Sequence, residues 1–256
     1  VIKMISGITK DYICRLAADG KRMDGRKFDE CREIKIEKGV AKNAEGSTQA
    51  RLGDTTVMVG VKMAPGEPYP DTQDSGVLTT AAELIPLASP AFESGPPSPE
   101  AIELARVVDR GIRESKTVDF KKLCITQGEK VWVLFLDIHV LDYDGNLFDA
   151  SSIGALSALT DTVVPANRFE LGEDFKLEVE HYPVSCTSVK IGNAILLDPS
   201  LDEETVADAR LTVSIDENGD IRAMQKGLNG SFTLDEIKSI INISKIKGDR
   251  IRELIK

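Results

Sequence analysis

Residues 47–63 read STQARLGDTTVMVGVKM, and this stretch decides the fold. Ser47 to Leu52 and Thr55 to Met63 are strand-like, and Gly53-Asp54 between them is a tight-turn signal. Outward from this hairpin, Cys31 to Lys38 reads as a strand before it and Gly76 to Leu84 as one after it. Thr9 to Ala18 reads as a helix with Ile13 and Leu16 on one face, stopped at Asp19-Gly20. Ala88 to Pro99 carries four prolines and is a loop. It ends in Ser98-Pro99-Glu100, where a capping serine, a proline at the first helical position and an acid at the positive end of the dipole start a helix running to about Lys116.

Further along, Leu123 to Thr126 and Val131 to Leu141 read as a hairpin around Gly128, with Trp132 and Phe135 as core residues and His139 as a core or interface residue. The turn Asp142 to Asn146 follows, then a small-residue helix from Ala150 to Val164 suited to close packing on a sheet. Pro183 to Ile191, Ala194 to Leu197, Leu211 to Ile215 and Ile221 to Lys226 are strands, and Glu217 to Asp220 signals a type I′ turn. Thr233 and Glu236 form a capping box for a last helix to about Leu254. The pattern is a mixed α/β (α+β) fold with antiparallel strands. Residues 1–20 form an N-terminal helix, 21–165 a first lobe, 166–181 a charged linker and 182–256 a second lobe.

The chain has 256 residues, 41% of them hydrophobic, and a formal net charge of −10. No stretch approaches the roughly 20 apolar residues of a membrane span. Val1 to Lys10 lacks the basic and apolar segments of a secretory leader, so the expectation is a cytoplasmic protein without membrane contact. The four cysteines and two histidines are scattered, which gives neither a disulfide framework nor a zinc site, and no cofactor is expected. The acidic balance argues against a broad basic nucleic-acid surface but leaves room for a narrow groove lined by arginines.

Arg22-Met23-Asp24-Gly25-Arg26, Glu30-Cys31-Arg32, Gly46-Ser47-Thr48 and Gly53-Asp54-Thr55 resemble, in order and spacing, the opening of RNase PH-fold exoribonucleases. The likeness continues through Glu103 to Arg113, Asp144-Gly145 and Leu197 to Leu211, covering roughly residues 20 to 250. It implies an RNase PH-like fold of two lobes, each a sheet backed by helices, and assembly into a six-membered ring. Active members of this family shorten RNA from the 3′ end with inorganic phosphate as nucleophile. Within the family the chain is most similar to the non-catalytic ring subunit of archaeal exosomes. That resemblance implies a catalytic RNase PH-like exosome subunit as alternating partner, RNA-binding cap subunits, and single-stranded RNA as ligand.

Two departures from the family pattern imply lost catalysis. Active members place a glycine-threonine-arginine phosphate cradle at a helix start; the matching stretch here is Gly145-Asn146-Leu147-Phe148-Asp149. Asp149 is expected to cap the helix N–H groups itself and to repel phosphate. Active members also carry two aspartates six residues apart after a Leu-Asp strand end; the matching positions are Glu204, which keeps a carboxylate, and Arg210, which inverts the charge. Asp208 is close in sequence, but a two-residue shift along a strand moves a side chain by roughly 6–7 Å. Asp202-Glu203-Glu204 is read as a solvated acidic loop rather than a metal site. The expected set of catalytic and metal residues is therefore empty.

The helix from Pro99 carries a basic stripe. With Arg106 at zero on a wheel of about 100° per residue, Arg110 falls near ~40° and Arg113 near about −20°, opposite Ala101, Leu104, Val108 and Ile112. One reading is contact of Arg106, Arg110 and Arg113 with an RNA backbone, where the resemblance also places arginines. The other is a solvated face on which Glu103, Asp109 and Glu114 pair those arginines. An active phosphorolytic enzyme with a rebuilt site, and a purely architectural subunit, are the competing functions.

Overall fold

The computed structural model describes residues 6–256. Residues 1–5, which include part of the leader reading and of the N-terminal helical segment, lie outside them. Helix α1 spans Gly7–Ala18, capped by Ser6, and buries Ile13 and Ala17. The first sheet contains β1 (Ile34–Lys38), β2 (Gly46–Leu52), β3 (Thr55–Gly66), β4 (Val77–Leu84), β5 (Cys124–Thr126) and β6 (Lys130–Asp142). Its order is β1-β2-β3-β6-β4, with β5 also on β6. All pairings are antiparallel except β4 with β6, which run parallel. That parallel pair requires a crossover, and it leaves β4 as an edge strand beside α2 (Pro99–Ser115).

Helices α2 and α3 (Leu147–Asp161) cover one face of this sheet, and the alternate residues Leu134, Leu136, Ile138 and Val140 of β6 point into them with no exposure. The small residues of α3 permit close approach: a methyl group added at Gly154 would stand 2.8 Å from Val59. Trp132 is core, edge-on to Phe169. Phe135 is not: it sits on the opposite, outward phase of β6 and is 37% exposed. His139 shares that phase and faces Glu83 at 3.3 Å rather than the core.

The two short strands β7 (Val163–Val164) and β8 (Phe175–Lys176) pair with each other, and Leu177 beyond them is buried. The second sheet has the order β10-β9-β11-β12, formed by β9 (Val184–Ile191), β10 (Ala194–Leu197), β11 (Ala209–Ile215) and β12 (Ile221–Gly227). Helix α5 (Leu234–Ile255) opens on the expected Thr233–Glu236 capping box and packs on β9 and β11. The β11–β12 turn departs from type I′, which needs positive φ at both central residues. Only Gly219 has it, at 79°, because the buried Asp216 carboxylate accepts from the N–H groups of Asn218 and Asp220 and holds them in a local turn. Among the described residues no helix is long and apolar enough to cross a membrane.

The two sheets share one hydrophobic core through α3, and a cluster of three arginines around one aspartate ties them at one end. Asp198 follows β10 in the left-handed region, φ 49°, and is 1% exposed. Its carboxylate accepts from Arg26, from the backbone and side chain of Arg32, and from Asn146. Its carbonyl accepts from Arg22 and Arg26, and Arg22 also forms a buried bidentate pair with Glu203. Burial by itself would raise the Asp198 pKa; the bonds from Arg32 outweigh it and hold the carboxyl below its ordinary range. A group with a lowered folded pKa lends stability above its unfolded value, and that stability is lost as pH falls through the folded value. Replacing Asp198 with Asn removes the carboxylate shared by the half-buried Arg26 and Arg32, so urea unfolding at pH 7 is expected to lose about 2 kcal/mol or more. A loss below ~1 kcal/mol would show the cluster to be dispensable.

Candidate nucleic-acid interface

Helix α2 is capped by Ser98, whose hydroxyl accepts from Ala101 N–H, and it ends with Lys116 in the left-handed region. Its buried face holds Ala101, Leu104, Val108 and Ile112, so Arg106, Arg110 and Arg113 project from the other side. They line a groove of about 240 Å³ together with Thr80, Asp109 and Glu114.

The three arginines are not equivalent. Arg113 donates to Asp109 at 2.7 Å, one turn earlier, and to the Leu78 carbonyl on the outer edge of β4. Arg110 is held only by Gln225 of β12 at 3.3 Å. Arg106 makes no hydrogen bond or ion pair among the described residues. Of the three acids expected to neutralise the stripe, Asp109 alone does so. Glu103 turns instead to Arg210 at 2.7 Å, with Gln225 as a second donor.

The start of α3 lies where the resemblance puts a phosphate cradle. The helix begins at Leu147, three residues before the sequence pattern suggests, because Asn146 (φ 53°) is its cap and accepts from Asp149 N–H. Asp149 therefore does not cap the helix. It is buried and reaches across to β9, accepting from Thr187 N–H at 2.9 Å, from the Thr187 hydroxyl at 2.7 Å and from the Asn146 side chain at 2.8 Å. Gly145, with φ 86°, is pressed against the next segment: a methyl group there would meet Leu201 N at 2.5 Å.

The Asp202-Glu203-Glu204 stretch is not a solvated loop. It belongs to a short helix, α4 (Leu201–Val206), opened by a Ser200–Glu203 capping box, and Glu203 is 2% exposed against Arg22. Glu204 turns to the start of α3: Oε1 accepts from Asn146 N–H at 2.9 Å and Oε2 from the Tyr143 hydroxyl at 3.1 Å. Burial pushes the Glu204 pKa up, and the Asn146 bond and nearby Arg210 oppose that rise. Arg210 lies over the Phe148 ring at 4.3 Å while pairing with Glu103. Asp208 faces elsewhere, accepting from Gly192 N–H at 2.8 Å. The one candidate carboxylate beside the start of α3 is thus engaged by the chain's own donors, and the second position is a paired cation. Among the described residues no group of three or more histidines, cysteines and acids could hold a metal ion.

A two-lobed fold of two sheets backed by helices, with a basic helix face on the first lobe, fits a relative of phosphate-dependent exoribonucleases. Sequence comparison agrees: residues 30–165 match domain 1, and residues 181–247 domain 2, of the 3′ exoribonuclease (RNase PH) family, and the chain belongs to that family. It is 56% identical over 250 residues to the exosome complex component Rrp42 of Methanocella arvoryzae, covering 98% of this chain and 96% of that protein. It is 53% identical over 251 residues to Rrp42 of Archaeoglobus fulgidus, covering 97% and 96%. In structure it matches a chain of the Archaeoglobus fulgidus exosome with RNA bound to the active site, at a TM-score of 0.95 and 52% identity over 97% of this chain and 98% of that one. The RNase PH-like fold expected from the sequence is thereby shown.

Burial raises Asp149 to about 7, against the bonds from Asn146 and Thr187 that favour its charge. The folded chain then keeps a proton that the unfolded chain releases near pH ~4. The stability contributed by this group is full below that value and declines as pH rises to about 7. Asp149→Asn should flatten this limb, seen as a thermal midpoint that falls less than the wild type's between pH 5 and 8. An identical slope in both proteins would contradict a protonated Asp149.

Proposed function

We propose that this chain is a non-catalytic ring subunit of an archaeal-type exosome, acting in the cytoplasm. It grips single-stranded RNA and supports the phosphorolytic active site of a catalytic RNase PH-like partner, in a ring that also carries RNA-binding cap subunits. The single observation behind the non-catalytic assignment is that the start of α3 holds Phe148 with Arg210 over its ring at 4.3 Å, Arg210 standing where active members have the second carboxylate. Phosphorolysis needs an anion seated near free N–H groups at a helix start, and here a built-in anion already takes the Asn146 donor. The arginine that would add positive charge is replaced by Phe148, and Arg210 is neutralised by Glu103.

RNA contact is assigned to Arg106 and Arg110, whose guanidiniums are available, with Arg113 beside them. The pairing of Arg113 with Asp109 and the Leu78 carbonyl favours a second, architectural reading for that one residue: it covers the free edge of β4. In the groove a backbone phosphate would meet two or three guanidiniums within one helix face, a geometry arginine serves better than lysine.

Incubated with RNA and inorganic phosphate, the chain alone is expected to release no nucleoside diphosphate, whereas its mixture with the catalytic relative does. Release by the chain alone would overturn the assignment. In the assembled ring, Arg106→Glu with Arg110→Glu should weaken RNA binding and flatten its salt dependence by about 0.7 in logarithmic slope per arginine removed. Normal binding and shortening by that double variant would leave only the architectural role.

A further inference from the structure

The guanidinium of Arg210, on β11, has two fixed neighbours. One is the Phe148 ring, 4.3 Å away. The other is Gly227, its register partner on β12. A methyl group built at Gly227 would stand 2.7 Å from Arg210 Nη2 and 3.0 Å from its Cζ and Nε, so the missing side chain at 227 makes room for the guanidinium. Nε is buried without a hydrogen-bond partner, and Nη2 donates to Glu103 Oε1 at 2.7 Å. Packing holds this cation in place, with the side chain 16% exposed, and its charge is directed at Glu103.

Glu103 belongs by position to the arginine stripe of α2. On the helical wheel it falls about 60° from Arg106 and ~20° from Arg110. It also precedes Arg106 by three residues, the spacing of an ordinary helical ion pair. In the folded chain it turns off the helix to Arg210 instead, and the same Oε1 accepts from Gln225 Nε2 at 3.3 Å. With its NH2 group committed to Glu103, the Gln225 amide presents its oxygen to Arg110, which donates to it at 3.3 Å. The contacts run in sequence from Arg210 through Glu103 and Gln225 to Arg110. Arg106 is left with no acid on it among the described residues, although Glu103 lies within one turn. Arg210 itself is not among the residues that line the groove.

We propose that Arg210 is a positioning residue for RNA binding. It draws Glu103 off the α2 stripe, which keeps Arg106 unneutralised and the Gln225 amide oxygen on Arg110. The inference rests on the RNA-gripping reading above and deepens it. A carboxylate at position 210 would repel Glu103 toward Arg106, whereas the arginine draws it away. The inversion of charge that removes an acid of the active members therefore also opens the arginine groove.

Gly227→Val pushes the guanidinium aside while leaving both Arg210 and Glu103 in the chain, so net charge is unchanged. In the ring assembled with the catalytic relative, and without inorganic phosphate, a fluorescently labelled oligoadenylate would be titrated by anisotropy over a range of salt. Gly227→Val should bind roughly 5-fold more weakly, with the logarithmic salt slope lowered by about 0.7, as if one arginine had been removed. Adding Glu103→Gln should restore most of that loss, and its gain should be several-fold larger beside Gly227→Val than in the wild type. Wild-type binding by Gly227→Val, or an equal gain from Glu103→Gln in both backgrounds, overturns the proposal. Should thermal unfolding show that Gly227→Val does not fold, Arg210→Ala enters the same cycle, and additive effects with Glu103→Gln overturn the proposal in the same way. Arg106→Glu with Arg110→Glu, titrated alongside, separates the two claims. Normal binding by that variant overturns the RNA grip and this proposal together. Weak binding by it, with wild-type binding by Gly227→Val and Arg210→Ala, leaves the grip standing and overturns the positioning role alone.

Discussion

Asp198 is the point on which the rest of the molecule turns. Its left-handed backbone and buried carboxylate gather Arg22, Arg26 and Arg32 from the segment before β1, and Asn146 from the start of α3. Three guanidiniums in a small volume would repel one another, and their burial is tolerable because carboxylates and carbonyls take nearly every donor. Asp24, Asp144, Asp198 and Glu203 supply the charge; the carbonyls of Glu30, Asp144 and Leu197 supply much of the rest. The residues by which the family is recognised, Arg22, Arg26 and Arg32, therefore tie the segment before β1 to the loop after β10.

The same tie positions the former cradle. Asn146 is fixed from two sides, by Asp198 and by Asp149, and that fixes where α3 begins and where its first N–H groups point. Glu204 then faces the Asn146 N–H because α4 is anchored one residue earlier through the Glu203–Arg22 pair. Consecutive acids on one short helix do different jobs: Glu203 pairs with Arg22, and Glu204 accepts from the Asn146 N–H and the Tyr143 hydroxyl. A carboxylate delivered intramolecularly loses little rotational freedom in making such bonds.

Local chemistry was legible in the sequence wherever a signal completes itself within a few residues. The Ser98 and Thr233 caps, the Gly53 turn and the small-residue packing of α3 all belong to this kind. The amphipathic character of α2 was legible too, since burial there follows the helical period. What the sequence hid are choices made by tertiary partners. Glu103, Asp109 and Glu114 look alike on a helical wheel, yet β11 supplies Arg210 to draw Glu103 away and only Asp109 stays with the stripe. Asp149 reads as a cap until β9 brings Thr187 within reach. Phe135 reads as core because a central strand usually has both phases covered or its polar phase exposed, and here an aromatic ring occupies the open phase.

An acidic chain can keep a locally basic groove if its charges are sorted by distance. Charges beyond about 8–10 Å are largely screened at physiological salt, so within the α2 groove the net value of −10 matters less than the three arginines that line it. The sorting in this fold is done by one edge strand. On β4, Thr80 turns its hydroxyl to Asp109 in the arginine groove, and Ala81, the next residue, lies beside Asp137 on the opposite face. The two-residue period of a strand puts the basic and acidic surfaces back to back, separated by the thickness of the sheet and its helix. Each keeps its own field, and a polyanion drawn to one has no path to the other except around the edge that Arg113 covers.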